Sequence, residues 1–181
     1  MANIIDRTYF DGGLLNISGT ELSSIQEKIG DFISVYETEY LKKVLGYPLW
    51  KLFNAQLPAP ADQRYKDILN GVEFTDANGN VEYWIGLKDS LNNPIAMYVW
   101  FYYEGQNASY SSTQGEQKGK TENASNVSVI TKQVLYWNKM KRLTDELWEF
   151  LYSAKTAGVR TYPEFDICKI ERFGILNSGN L

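Results

Sequence analysis

Apolar residues at Leu22, Ile25, Ile29, Phe32, Ile33, Tyr36, Tyr40 and Val44 recur at helical spacing. The stripe lasts roughly six turns, and a helix that long must bury one face against other helices. Its start is marked by a capping box, Ser18 with Glu21, with Ile17 and Leu22 at the flanking staple positions. Lys42 and Lys43 suit the last turn, and Gly46 suits a left-handed cap. A second long stripe (Val127, Ile130, Val134, Trp137, Leu143, Leu147, Phe150, Leu151 and Ala154) predicts a helix over about 126–157, ended by Gly158.

Shorter elements lie between these pillars. Pro48 can open a short helix packed through Leu49, Trp50, Leu52, Phe53 and Leu57, and Pro58-Ala-Pro60 stops it. A third helix runs from about Asp62 to Asn70, with Tyr65, Ile68 and Leu69 inward and Asn70-Gly71 at its end. The period then drops to two, with Val72 and Phe74 before Asn78-Gly79 and Val81, Tyr83 and Ile85 after it, which reads as a β-hairpin over 72–85. Asn93-Pro94 begins a helix to about Gly105 that is apolar on nearly every side, so it belongs inside the molecule. The fold class expected is mainly α: an antiparallel bundle of four to five helices with one small β-hairpin and extended arms. One domain over 1–181 accommodates this, with an arm at 1–17, the bundle at 18–158 and a tail at 159–181.

The segment Gln106 to Asn126 contains no Ile, Leu, Val, Met, Phe or Trp, and Tyr110 is its one aromatic residue. It cannot build a core of its own, and structureless loops of such length inside a domain are usually either disordered or shaped by something they bind. The chain also carries 13 Tyr and 5 Trp, more than a body of 181 residues easily satisfies internally, which points to subunit interfaces.

Composition narrows the chemistry. There is no histidine, the commonest general base and zinc ligand, and Cys168 is the single cysteine, read as a small apolar residue beside Ile167. No internal disulfide can form, and no secretory leader is legible at the first residues, so a cytosolic origin is expected. The longest apolar run, Pro94 to Tyr103, is too short to cross a bilayer. With a net charge of −4 and no Lys/Arg run, sequence-specific nucleic-acid binding is not expected. Gly115-Glu-Gln-Lys-Gly-Lys120-Thr121 falls one residue short of a phosphate-binding loop, and no apolar strand leads into it. Asp76, Asn78, Asn80 and Glu82 alternate like calcium ligands, but Gly79 stands at the wrong position for an EF-hand and the turn reading is preferred. Glu37/Glu39 and Asp145/Glu146 read as solvated carboxylates, and Lys132, Lys139, Lys141 and Arg142 as an ordinary charged helix face. No enzyme, metal or cofactor is expected.

Taken in order, the long capped helix, Leu45-Gly-Tyr-Pro-Leu-Trp-Lys-Leu-Phe, Tyr65-Lys-Asp-Ile-Leu-Asn-Gly71, the hairpin ending Trp84-Ile-Gly-Leu87-Lys, the aromatic helix Ile95 to Tyr103, the polar stretch, the final helix and Arg172-Phe-Gly-Ile-Leu-Asn177 resemble the head–tail connector (ring or adaptor) proteins of tailed bacteriophages, most closely those of crAss-like phages. The resemblance spans about 20–177 and rests on fold-building residues. It implies a structural virion protein of the neck, a ring commonly of twelve copies between the portal protein and the next ring or tail protein, with DNA passing through its lumen. A tail-terminator or other neck component, or a stand-alone helical protein-binding adaptor, remain open alternatives. The family supplies no fixed set of binding residues. Tyr110, Lys118 and Lys120 in the polar segment, and Arg172, Phe173 and Ile175 in the tail, are therefore candidate partner contacts on their own chemistry, with Phe173 and Ile175 expected to fill a partner pocket.

Overall fold

The computed structural model describes residues 3–11, 15, 17, 23–107, 110–112, 115–117 and 129–177. Three long helices carry the body: α1 (Ser23–Asn54), α3 (Pro94–Asn107) and α4 (Val129–Ser153). α3 packs against both of the others, and Ile95 to Trp100 are all buried, which is why that helix is apolar on every side. Asn93 holds its start: Oδ1 accepts from the Ala96 N–H, while Nδ2 donates to the Leu87 and Asp89 carbonyls. The mainly helical bundle with a small hairpin is thus the observed architecture. The capping residues expected at Ser18 and Glu21 lie outside the described residues.

Two helical runs meet within α1 at Gly46, whose φ 69°, ψ 155° is non-helical: the first run stops there, as its glycine cap implies, and Pro48 opens the second. Past this break no helical donor reaches the Val44 carbonyl, since Pro48, four residues on, has no N–H. The Trp148 indole N–H, five residues before the end of α4, fills that vacancy at 2.9 Å. One residue earlier, the Lys43 carbonyl accepts from the Glu171 N–H at 3.4 Å. The bend therefore turns backbone acceptors of α1 outward, where α4 and the tail use them.

A short helix, α2 (Gln63–Asn70), begins on the Asp62 side chain, which accepts from the Arg64 N–H, and ends at Gly71. Its final carbonyls are met by the chain that follows the hairpin, β1 (Val72–Thr75) and β2 (Val81–Trp84). Leu87 N–H and the Trp84 indole both donate to the Ile68 carbonyl, and Lys88 N–H donates to that of Leu69. This brings two backbones together at Gly71 and Gly86, both at positive φ; a Cβ on either would meet backbone atoms at 2.4 and 2.5 Å respectively. Within the hairpin, Asp76 Oδ1 accepts from the Asn78 and Asn80 N–H groups, and this turn pairs Val72 with Trp84 and Phe74 with Glu82. The register puts Trp84 inward and leaves Val81 and Tyr83 exposed, so the apolar alternation of the second strand marks its solvent face.

Other boundaries differ from the sequence reading. α4 ends at Ser153, and Gly158 sits not at a helix cap but in the turn of a small antiparallel pair, β5 (Lys155–Thr156) with β6 (Val159–Arg160). The packed row of α4 also runs through Gln133, Tyr136 and Met140, while Ile130 is exposed. Within the polar segment, β3 (Tyr110–Ser112) pairs with β4 (Gly115–Gln117). Cys168 is exposed, contrary to its expected apolar setting, because the turn started by Asp166 points it outward.

Gly71→Ala and Gly86→Ala should each destabilise the fold by about 3 kcal/mol or more, since the added carbon strikes main chain and the backbone must also hold positive φ. Gly79→Ala, with positive φ but open space around it, should cost only about 1 kcal/mol. Urea unfolding midpoints of the three variants test this ordering.

Candidate functional site

The tail, without regular secondary structure over 171–177, lies against α1 and α4, held by side chains that read its backbone. Trp137 Nε1 donates to the Gly174 carbonyl at 2.8 Å, and Asn138 makes a matched pair with Leu176, accepting its N–H at 3.0 Å and donating to its carbonyl at 2.9 Å. Phe173 is the plug of this arrangement, 7% exposed, stacked on Tyr40 and Trp148 and meeting Tyr98 and Trp137 at an angle. Beside it, the Lys43 ammonium bridges Glu39 (3.0 Å) and Glu171 (3.1 Å). Burial pulls the Lys43 ammonium down, but the bonds to both carboxylates outweigh it and hold its pKa above the usual lysine value. Tyr98, whose hydroxyl lies against Glu39 and the Tyr102 hydroxyl, is pushed up first by burial and then by Tyr102 and Glu39, so it remains protonated.

A second tie holds the first described residues. Glu37 is 3% exposed, and its two oxygens accept from the Ile4 N–H at 2.8 Å and the Ile5 N–H at 3.0 Å. Ile4, Ile5, Phe10, Leu15 and Ile17 are buried along with it, around a short 3-10 turn at Arg7–Phe10. Burial raises the Glu37 carboxyl to about 7, against the two amides, which favour the charged form. The expectation of a solvated Glu37 is therefore corrected. Its signal was present in the sequence, because Glu37 falls four after Ile33 and three before Tyr40, on the buried stripe.

The six candidate contacts separate clearly. Phe173 does not project toward a partner; it fills a pocket of its own chain, because four aromatic residues of α1, α3 and α4 converge there. Arg172 and Ile175 flank it on the outward side, Ile175 at 72% exposure. Tyr110 opens β3, opposite Gln117, while Lys118 and Lys120 lie outside the described residues. The loop resembling a phosphate-binding sequence lies partly outside them as well. On α4, Lys141 and Arg142 form i,i+4 pairs with Asp145 and Glu146, an ordinary charged face.

Three of the five tryptophan N–H groups find internal acceptors, at Ile68, Gly174 and Val44. The Trp50 and Trp100 nitrogens are buried without a partner among the described residues. Among those residues, too, no group of three or more acidic or cysteine side chains is gathered to hold a metal, and no helix is long and apolar enough to cross a membrane. Comparison with family models, with curated proteins and with solved structures gave no match to this chain.

Two outcomes follow from the ties. Phe173→Ala should lose about 3–5 kcal/mol of stability through the cavity left among the rings, read as a lowered denaturation midpoint of the isolated chain. For Glu37, the native pKa near 7 lies above the unfolded value near 4.5. Its contribution, on the order of 3 kcal/mol, is thus fully present at or below about pH 4.5 and lost as the pH rises through about 7. Denaturation midpoints of wild type and Glu37→Gln across this window check the sign: wild type should fall relative to the variant, and parallel curves would remove Glu37 as the source.

Proposed function

We propose that the chain is a structural virion protein of a tailed phage: an oligomeric ring, of dodecameric type, seated in the neck between the capsid portal and the next ring or tail protein, through which DNA passes during packaging and ejection without sequence-specific binding. The observation that carries the reading is where the resembling residues fall. Leu45, Leu49 and Phe53 of the Leu45-to-Phe53 run are core residues, while Tyr47 and Leu52 of the same run are exposed. Closed rings need two different adhesive faces on each copy. α1 and α4 flank α3, and their outward surfaces carry Val35 (58% exposed) and Leu135 (61% exposed), on which such contacts can be built. Made in a bacterial host's cytoplasm and carried in the particle neck, such a protein would serve by shape and adhesion, with an acidic balance suited to a conduit that must not grip phosphates.

The polar segment fits the same reading. Its β3 and β4 pair only with each other among the described residues. Deleting 109–122 should leave a folded subunit that no longer joins particles; normal infectious particles from that deletion would reject its role in assembly. The reading as a whole is tested by mass measurement with and without the portal protein. A ring, or a monomer that forms rings on the portal, is expected; a chain that stays monomeric under both conditions would favour the stand-alone adaptor.

A further inference from the structure

Each sheet among the described residues has two strands, so each strand keeps an open edge, and two of those strands, β1 and β5, line one groove. In the first hairpin, Asp76 N–H donates to Asn80, which makes Phe74–Glu82 and Val72–Trp84 the hydrogen-bonded pairs. The backbone N–H and C=O groups of Glu73 and Thr75 therefore point away from β2. In the last hairpin, Thr161 N–H donates to Ala154, so the backbone groups of Lys155 point away from β6 by the same alternation. Residues 72–77 form one wall of a cavity of about 480 Å³, and 153–156 line it as well. Val159 and Arg160 of β6 border an adjoining cleft with Asp62 and Arg64 that shares Asp67, Thr156 and Thr161 with the groove, while Lys155 lines the groove and not the cleft.

The groove has the layout of a strand-binding slot. Half-buried Phe74 and exposed Tyr152 line it together with the buried Phe150 and Tyr162, with Phe74 and Tyr162 each packed edge-on to Phe150 at 5.4 and 5.3 Å. Asp67, Glu73 and Asp76 contribute three carboxylates against the single ammonium of Lys155. Asp76 stays charged, because the Asn78 and Asn80 donors outweigh its desolvation and hold its carboxyl below the usual range. An added strand alternates its side chains, so one face meets the rings while the other carries charge past the acidic rim.

We propose that this groove takes an extended, lysine- or arginine-bearing segment of a partner protein, added as a further strand to the open edge of β1. The proposal does not rest on the ring reading, since it is read on the isolated chain with no portal present.

The probe is a synthetic peptide alternating lysine and valine, titrated calorimetrically into the full chain. It should bind saturably, and a glutamate–valine counterpart should bind at least about tenfold more weakly. N-methylation of alternate residues, which removes the donors of one peptide edge, should abolish binding. In the complex, amide exchange at Glu73 and Thr75 should slow. Glu73→Lys, a change at an exposed side chain, should weaken the lysine–valine peptide about tenfold with an unaltered thermal melt. Absence of saturable binding, indifference to N-methylation, unchanged affinity in Glu73→Lys, or unchanged exchange at the two amides would each overturn the proposal. Protection of those amides that rises with chain concentration alone would assign the edge to a second copy and overturn it equally.

Discussion

The structure hangs on a missing hydrogen bond. Pro48 denies the Val44 carbonyl its helical donor, and a buried acceptor left unmet costs on the order of 1–3 kcal/mol. The Trp148 indole meets it, which fixes where the last helix crosses α1. With that crossing set, Tyr40 and Thr144 come within 2.7 Å of each other, and the space beside them receives Phe173. Remove the bend and the helices would still be amphipathic, but the Tyr40–Thr144 pair would be left to select this alignment without the Trp148 bond.

Around that crossing the core is held by aromatic geometry more than by aliphatic filling. Tyr36, Tyr98 and Tyr102 form a chain of contacts between α1 and α3, with Tyr36 and Tyr102 stacked at 4.4 Å, and Trp137 and Phe173 extend it to α4 and the tail. Rings carry large apolar areas with few torsions to freeze, so a modest body can bury many of them at low entropic cost. Their polar edges then demand partners. Several are backbone carbonyls freed at a bend or helix end, which ties ring placement to the termini of the helices.

What the sequence made legible was whatever depends on local period and punctuation. The stripe from Ile29 to Val44, the burial of Ile95 to Trp100, the ends at Asp62 and Gly71, and the hairpin around Asn78-Gly79 all follow from spacing and turn chemistry. What escaped it depends on contacts between distant residues. The spacing of Glu37 places it on the buried stripe, but nothing local shows that the amides of residues 4 and 5 satisfy it there. Phe173 looks like a free anchor until α1, α3 and α4 are placed together around it. The inward parity of β2 depended on the turn's pairing of Asp76 with Asn80, which apolar alternation at Val81 and Tyr83 conceals. The groove beside β1 was invisible for the same reason, since its walls come from residues some eighty positions apart.

The two ties on α1 have a mechanical meaning. Glu37 grips residues 4 and 5, Lys43 grips Glu171, and the two grips lie six residues apart, about 9 Å along the helix. A load on the first described stretch thus reaches α1 at Glu37, while one on the tail meets Asn138 and Trp137 of α4 and the seat of Phe173 before it reaches Lys43. The hairpins and α2 hang between these anchorages, in a loop of chain whose two feet are already pinned. Tension along the polypeptide would reach them only after the grips on α1 and α4 had given way.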